Sequence, residues 1–461
     1  MFNDYISRRK AVPANVVQLK PVNVEQDVPP MPEIDLDLQN WLELKSSLHE
    51  AMLDRLNLSV IDKVDAVEFK RQIAGLVTQL LADQGRTLSP ERMELLIEEL
   101  IFEVTGLGPL EPLLADPTIN DILVNNHENV YVERFGKLER TQVRFRDERH
   151  LLRIIDKIVS AMGRRVDESQ PWVDARLPDG SRVNAIIRPC AVDGPSLSIR
   201  KFSAKPYSLD RLVQAKALTR PAADILRGLV EARLNVLISG GTGSGKTTML
   251  NAMSAFIDTD QRVVTIEDAA ELQLQQDHVV RLETRPPSIE GTGAVTQREL
   301  LRNALRMRPD RIIVGEVRGA ECFDMLQAMN TGHDGSMTTV HANTVRDALG
   351  RLEQMVTMIG ADIPMVTIRS QIASSIDIIV QLSRHSDGGR RVMSIAEVTG
   401  MEGEVITMQE IFTFRQRGKG DAGEVLGELL YTGIRPQFMD KLEAAGIKLP
   451  ADVFDFDGVS G

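Results

Sequence analysis

The chain is poor in several things. Two cysteines in 461 residues, Cys190 and Cys322, are too few for a disulfide framework and too far apart to form a metal knuckle. A reducing compartment follows from that usage. No apolar run approaches the roughly 18 residues of a membrane-spanning helix, and the opening residues Met1 to Tyr5 lack the charged-then-apolar order of a signal peptide. Any work at a membrane is therefore expected from its side. Aromatic residues make up 4% of the chain, which removes the flat platforms on which a single-strand nucleic-acid binder stacks bases. A net charge of −12 points the same way, although an acidic chain can still carry a local basic patch.

What is present begins with length enough for about three domains. Residues 1–35 are polar and carry Pro13, Pro21, Pro29, Pro30 and Pro32, which predicts a disordered leader. Residues 36–105 predict a helical bundle, with helices over 41–56 and 64–81 and a third opening at Ser89-Pro90. There Ser89 suits the N-cap, Pro90 the first helical position, and Leu95, Leu96, Ile97, Leu100, Ile101 and Val104 the buried stripe. Residues 106–204 change period to short strands (122–124, 130–132, 182–187, 196–199) around a helix over 147–162, which predicts a compact α+β domain. A linker is expected over 205–220. From 221 to 461 apolar strands alternate with helical segments, the pattern of an α/β domain whose mostly parallel sheet is covered by helices.

The strongest chemical signal is Gly240-Gly241-Thr242-Gly243-Ser244-Gly245-Lys246-Thr247, a complete phosphate-loop match. It follows a buried-strand run, 234–239, and precedes a helical pattern from Thr248 to 257. Glycines there let backbone N–H groups close around an anion, and the helix N-terminus adds unpaired donors. Lys246 would neutralise the β- and γ-phosphates, and the Thr247 hydroxyl would hold Mg²⁺. Hydrolysis also needs acids at neighbouring strand ends. A strand over 262–266 runs into Glu267-Asp268-Ala269-Ala270-Glu271, and a strand over 311–314 ends in Gly315-Glu316, a Walker-B-like site. Between them, Thr296-Gln297-Arg298-Glu299 has capping-box spacing, and Arg302, Arg306 and Arg308 gather at the end of that helix. His333 and His341, two of only 7 histidines, then fall within one turn-and-strand segment. No cysteine or further histidine lies at zinc-ligand spacing, so they suit γ-phosphate sensing better than metal binding.

The order of phosphate loop, Glu267 to Glu271 box, Gly315-Glu316 and His333 to His341 box resembles the type II/type IV secretion ATPase superfamily of ring-forming motors. That resemblance implies a RecA-like C-terminal domain, preceded by an α+β (PAS-like) domain and a helical bundle. Carried over by motif position, it implies that Glu271 activates the attacking water, that Glu316 supports Mg²⁺ with help from Glu267, and that His341 lies near the γ-phosphate. It also implies nucleotide-binding arginines from the α+β domain, for which Arg182, Arg188 and Arg200 stand at similar positions; partnership with local acids is the alternative. Within the superfamily the chain is most similar to the tight-adherence (Tad) pilus branch. The likeness lies in Thr118-Ile119-Asn120-Asp121-Ile122-Leu123-Val124-Asn125, the run from Arg391 to Gly403, and Thr432-Gly433-Ile434-Arg435-Pro436. The four-cysteine zinc insertion of many type II members is absent.

The expectation is thus an ATPase using ATP and Mg²⁺. It would form a homo-hexamer at the cytoplasmic face of the inner membrane and drive pilus assembly or retraction through membrane platform proteins, without direct nucleic-acid contact. A conjugation or type IV secretion ATPase is the alternative within motors. A nucleic-acid translocase and a small-molecule kinase are the alternatives outside them.

Overall fold

The computed structural model describes residues 36–53, 55, 65–202, 207–287, 292–360, 362–420 and 423–454. The expected leader, 1–35, lies outside them. The chain divides at Val104/Thr105 into two compact units.

In the first, helices α1 (Leu36–Leu53), α2 (Ala66–Asp83) and α3 (Pro90–Thr105) gather Leu48, Ile73, Val77, Leu81, Leu96 and Leu100 into one core. Ser89 Oγ accepts from the Arg92 N–H at 3.4 Å, which fixes the start of α3 where the Ser-Pro pair predicts it. Lys45 is buried against α3 and is neutralised by Glu99 and Glu103, each at 3.2 Å.

The second unit opens with a 3-10 turn at Gly108–Leu110, α4 (Glu111–Ala115) and an antiparallel sheet. Its elements are β1 (Ile119–Val124), β2 (Val130–Arg134), β3 (Lys137–Arg140), α5 (Glu148–Ser160), β4 (Trp172–Arg176), β5 (Arg182–Ile186) and β6 (Ser196–Arg200), with strand order β3-β2-β1-β6-β5-β4. Helix α5 starts where the Asp147 carboxylate accepts the His150 N–H at 2.7 Å. It buries Leu151, Ile155 and Ile158 against Ile122, Val132, Val183 and Ile199.

The segment expected to be a linker folds instead. Ser208 caps α6 (Leu209–Gln214), and Leu209, Leu212, Ala217 and Leu218 are buried in the core of the next sheet. Four buried apolar residues over ten positions explain why: exposing them would cost more than ordering the short helix.

That sheet is assembled from α7 (Arg220–Glu231), β7 (Val236–Gly240), α8 (Lys246–Ser254), β8 (Val263–Glu267), β9 (Val279–Glu283), α9 (Gln297–Ala304), β10 (Arg311–Val314), α10 (Glu321–Asn330), β11 (Met337–Val340), α11 (Val345–Thr357) and α12 (Met365–Ser375), followed by β12 (Ile378–Arg384), β13 (Arg390–Glu402), β14 (Val405–Lys419), β15 (Val425–Tyr431) and α13 (Met439–Ala444). Its order is β15-β14-β13-β12-β7-β11-β10-β8-β9. The strands from β12 to β9 run parallel, and β13 to β15 extend them as an antiparallel meander. Every residue of β7 is buried; Val236 and Ile238 face one core and Leu237 the other, so the strand sits between two helical layers. The parallel strands align their C-terminal ends, where open α/β sheets bind ligands.

Two segments far apart in sequence meet here. Buried Glu397 accepts the backbone N–H groups of Gln437 at 2.9 Å and Phe438 at 2.6 Å, so the 391–403 run anchors the chain just beyond Pro436. Among the described residues no helix is long and apolar enough to cross a membrane.

Candidate active site

Strand β7 gives way to α8 through the glycine-rich loop. Gly243 and Gly245 take φ of +68° and +97°, conformations that L side chains rarely adopt. A Cβ on Gly240 would come within 2.8 Å of the Leu382 carbonyl, so only glycine fits where β7 meets β12. Lys246 Nζ lies over the loop, donating to the carbonyls of Gly240 at 3.0 Å and Gly241 at 3.1 Å. Burial pulls its pKa below the usual lysine value; Arg318 and Arg200 push the same way, while Glu316 opposes them. The loop thus places a partly desolvated lysine where an anion would sit. Thr242, Ser244 and Thr248 lie on the same loop-and-helix start, and Ser244 Oγ donates to the Gly241 carbonyl at 2.8 Å.

One cleft collects Arg182, Thr247, Glu267, Asp268, Glu271, Gln297, Glu316 and Arg318. Each acid has a local reason for its place. Glu267 ends β8 and is buried, its pKa raised by burial against the lowering effect of the backbone N–H groups it binds. Its Oε2 accepts from Glu271 N at 2.7 Å and Leu272 N at 2.9 Å, which folds the acid loop back over the strand end. Gly315 makes room, since a Cβ there would stand 3.0 Å from the Glu267 Cγ. Glu316 is positioned by its neighbours: Thr339 of β11 donates its hydroxyl to the Gly315 carbonyl at 2.7 Å and accepts the Val317 N–H at 3.0 Å. Glu316 pairs with Arg318 at 2.8 Å, and Arg318 also reaches Asp268 at 3.2 Å. That contact with Glu316, ahead of any other cause, raises the Arg318 pKa.

The cleft fits a magnesium nucleotide. Glu267 Oε1 is a buried carboxylate oxygen with no hydrogen-bond partner, and the Thr247 hydroxyl and Glu316 carboxylate stand with it. Among the described residues no group of three or more His, Cys, Asp or Glu side chains is arranged to hold a metal ion. A cation sharing its shell between one or two protein oxygens and substrate phosphates has the chemistry of Mg²⁺.

The structure sorts the residues singled out in the sequence. Arg182 reaches the cleft from β5 and hydrogen-bonds Glu271. Arg200 stands beside the cleft; burial works to lower its pKa, but Asp121 at 3.2 Å, with Glu271 and Glu133 adding to it, raises it. Arg188 instead pairs with Glu148 of α5 at 3.1 Å and does not line the cleft. His341 follows Val340, which pairs with Ser239 just before the phosphate loop, so it lies at the phosphate end of the sheet but exposed and off the cleft lining.

His333 needs correction. It precedes β11, with its Nδ1 3.2 Å from the Ala328 carbonyl, and its neighbours Asp334 and Ser336 bond Arg233 and Asn235, which precede β7. Because β7 and β11 are parallel, His333 lies at the opposite end of the strands from the phosphate loop, separated by roughly 13 Å of β11. It cannot sense a γ-phosphate in this fold.

Sequence reasoning missed Gln297 and Arg318 in the cleft, gave Asp268 of the acid box no role of its own, and missed a clasp beside the loop. Arg390 Nε donates to the Gly243 carbonyl at 2.9 Å, while its Nη2 and that of Arg384 reach opposite oxygens of Glu133, on β2, at 3.2 and 3.4 Å. The spacing of Arg318 two positions after Glu316 could have flagged it. The clasp joins positions 251 and 257 apart and left no local trace.

The family described as "Type II/IV secretion system protein" matches residues 103–419. A Mycobacterium tuberculosis protein with a provisional conjugal-transfer designation is 41% identical over 335 residues, covering 71% of this chain and 94% of its own length. The conjugal transfer protein TrbB of Rhizobium radiobacter is 35% identical over 290 residues, 62% of this chain and 86% of its own. Among solved structures, the VirB11 ATPase of the Brucella suis type IV secretion system is 32% identical, covering 63% of this chain and 95% of that one, with a TM-score of 0.34.

Proposed function

The chain belongs to the type II/IV secretion system protein family, and from that premise we propose that it is the ATP-hydrolysing ring motor of a tight-adherence pilus. The observation that carries hydrolysis is the single cleft in which Glu267, Glu271 and Glu316, from the ends of neighbouring strands, face Thr247 at the phosphate-loop helix. The loop amides and Lys246 hold the β- and γ-phosphates. A phosphate oxygen is a stronger acceptor than the Gly240 and Gly241 carbonyls that Lys246 now binds, so the ammonium moves to it. Glu271 takes a proton from the attacking water, and Arg182 beside it offers positive charge to the transferring group. Thr247 and Glu316, with Glu267, would hold Mg²⁺, which neutralises charge developing on the phosphate oxygens.

The pilus reading rests on the likeness of 118–125, 391–403 and 432–436 to the tight-adherence branch. It implies a homo-hexamer peripheral to the inner membrane on its cytoplasmic side, pushing on platform proteins. Extension and retraction are both compatible with it. The acidic balance of the chain supports a protein partner over nucleic acid. The second reading, a conjugation or type IV secretion ATPase, is favoured by the names of the relatives.

Two assays test these readings. Lys246→Ala is expected to abolish ATP turnover; wild-type turnover in that variant refutes the phosphate-loop assignment. Capture of the intact assembly with its membrane partners, with ATPase rates taken with and without DNA, separates the partners. DNA-stimulated turnover that falls steeply with salt overturns the pilus reading.

A further inference from the structure

Gln297 is a side chain to which the cleft gives no evident task. It is 7% exposed, and its amide oxygen is buried without a hydrogen-bond partner. A buried acceptor left unpaired costs about 1–3 kcal/mol and so calls for an explanation. It lines the same cleft as Thr247, Glu267, Glu271 and Glu316.

Its backbone is held on both sides. Thr296 caps α9 through a reciprocal box, accepting the Glu299 N–H at 3.2 Å while its own N–H reaches the Glu299 carboxylate at 2.8 Å. The next residue, Arg298, is tied to Asp324 of α10 at 2.6 Å. Gln297 is thus the first helical residue of a doubly pinned turn. That is the rigidity needed to hold a reacting molecule in place.

We infer that Gln297 positions the attacking water, accepting a hydrogen bond from it on the amide oxygen while Glu271 accepts the other hydrogen. This deepens the hydrolytic reading of the cleft and rests on it. In the step, the water oxygen bonds to the γ-phosphorus as the bond from that phosphorus to the β–γ bridging oxygen breaks. ADP leaves with the electron pair. One water proton passes to the Glu271 carboxylate and from there to the released phosphate or solvent. Gln297 exchanges no proton. A neutral amide suits the place because it orients a water without competing for its proton among four acids, Glu267, Asp268, Glu271 and Glu316. Glutamine orients the attacking water in the phosphate-loop GTPases as well.

The test uses the full-length assembled chain with Gln297→Leu, Gln297→Asn and Gln297→Glu, measuring kcat, KM and the affinity for a fluorescent ATP analogue. Leu removes the acceptor, Asn withdraws it by one methylene, and Glu keeps an acceptor oxygen at the same reach. The expected result is a kcat reduced about 100-fold in Q297L and at least tenfold in Q297N. Analogue affinity and KM stay within a few-fold of wild type, and Q297E, which keeps the acceptor oxygen but adds a fifth acid to the cleft, recovers only part of the loss. Wild-type kcat in Q297L or Q297N overturns the inference. So does a loss of kcat matched by a loss of affinity in all three variants, which makes Gln297 a packing residue. Should Q297L fail to fold, Q297N decides alone. Lys246→Ala runs beside them: if it binds and hydrolyses ATP as wild type does, the phosphate-loop reading has failed rather than the role of Gln297.

Discussion

Arg182, on the antiparallel sheet, hydrogen-bonds Glu271, on the acid loop of the parallel sheet, across 89 positions of chain. The acid expected to take the proton of water is therefore held by a guanidinium from the other sheet. A triphosphate in the cleft competes for that guanidinium with more negative charge than one carboxylate. Arg182 would pass to the phosphate and free Glu271 in the same movement, coupling occupancy of the cleft to the contact between the two sheets. Glu271→Gln is expected to bind a fluorescent ATP analogue within a few-fold of wild type while kcat falls by at least 10². Arg182→Ala is expected to lose about 10³ in kcat, as removal of an inserted guanidinium does. Single-turnover hydrolysis with parallel nucleotide titration reads both. Undiminished turnover in E271Q would mean that another acid, with Glu267 first in line, does the work.

The Glu133 clasp makes a separate prediction. One nearly buried carboxylate neutralises Arg384 and Arg390, and Arg390 also touches the Gly243 carbonyl of the phosphate loop. In Glu133→Gln both guanidinia lose their counter-charge beside an anion site. Nucleotide affinity should tighten about threefold at low ionic strength, consistent with an unscreened charge several ångströms away. The difference should close as salt rises through the range where the Debye length shrinks below that separation. Titrations at two salt concentrations check it; unchanged affinity at low salt rejects it.

What could be read from the residues was local. The phosphate loop, the strand ends at Glu267 and Glu316, and the caps at Ser89 and Thr296 are set by neighbours within a few positions, and all recur in the structure. Strand β3 was not legible because all of Lys137–Arg140 is exposed and shows no alternation, and β4 because Val173 and Ala175 give too short an apolar face. Helix α6 spans six residues, less than two turns, so no period could establish itself. His333 was misread because its closeness to His341 in sequence conceals β11, which carries the chain from one end of the sheet to the other. Gln297 looked like an ordinary residue inside a capping box. Its unpaired oxygen is a property of the assembled cleft and of nothing nearby in the chain.

Arg311 is fully buried at the start of β10, and no carboxylate forms an ion pair with it among the described residues. Its guanidinium is held by Gln261 Oε1 at 2.6 Å, the Val230 carbonyl at 2.9 Å and the Gly335 carbonyl at 3.2 Å. Burial, with Arg233 adding to it, lowers its pKa to about 10. The side chain staples the end of α7 to the loop before β11. Arg311→Met leaves the Gln261 amide oxygen and the Gly335 carbonyl without this donor, while the Val230 carbonyl keeps only the Arg233 N–H, and is expected to cost about 3 kcal/mol, seen as a lower denaturant midpoint. Arg311 lies at the end of β10 away from Glu316, so the KM for ATP of the folded fraction should stay within twofold. A stability equal to wild type would show that the site repacks around the methionine.

Asp387 offers a pH test whose sign is fixed by geometry. In the turn between β12 and β13 it accepts from Arg391 at 2.8 and 3.1 Å and from the N–H groups of Gly389 and Val425, both at 2.8 Å. The hydrogen bond from Arg391, the largest cause, and those backbone groups hold its carboxyl well below the usual carboxylate range. A depressed carboxylate contributes stability that is fully present above its unfolded pKa and is lost as pH falls through the folded one. Asp387→Asn should therefore be less stable than wild type by about 2 kcal/mol at pH 7. The gap should hold down to about pH 5 and narrow below pH 4 as the carboxyl begins to protonate in the unfolded wild-type chain. The same turn carries Arg390 to the Gly243 carbonyl, so the variant should also weaken nucleotide binding at neutral pH. Urea midpoints of both proteins across pH 3 to 8 measure the effect. A gap that widened toward acid would mean that Asp387 is protonated in the folded chain, contrary to every hydrogen bond it accepts.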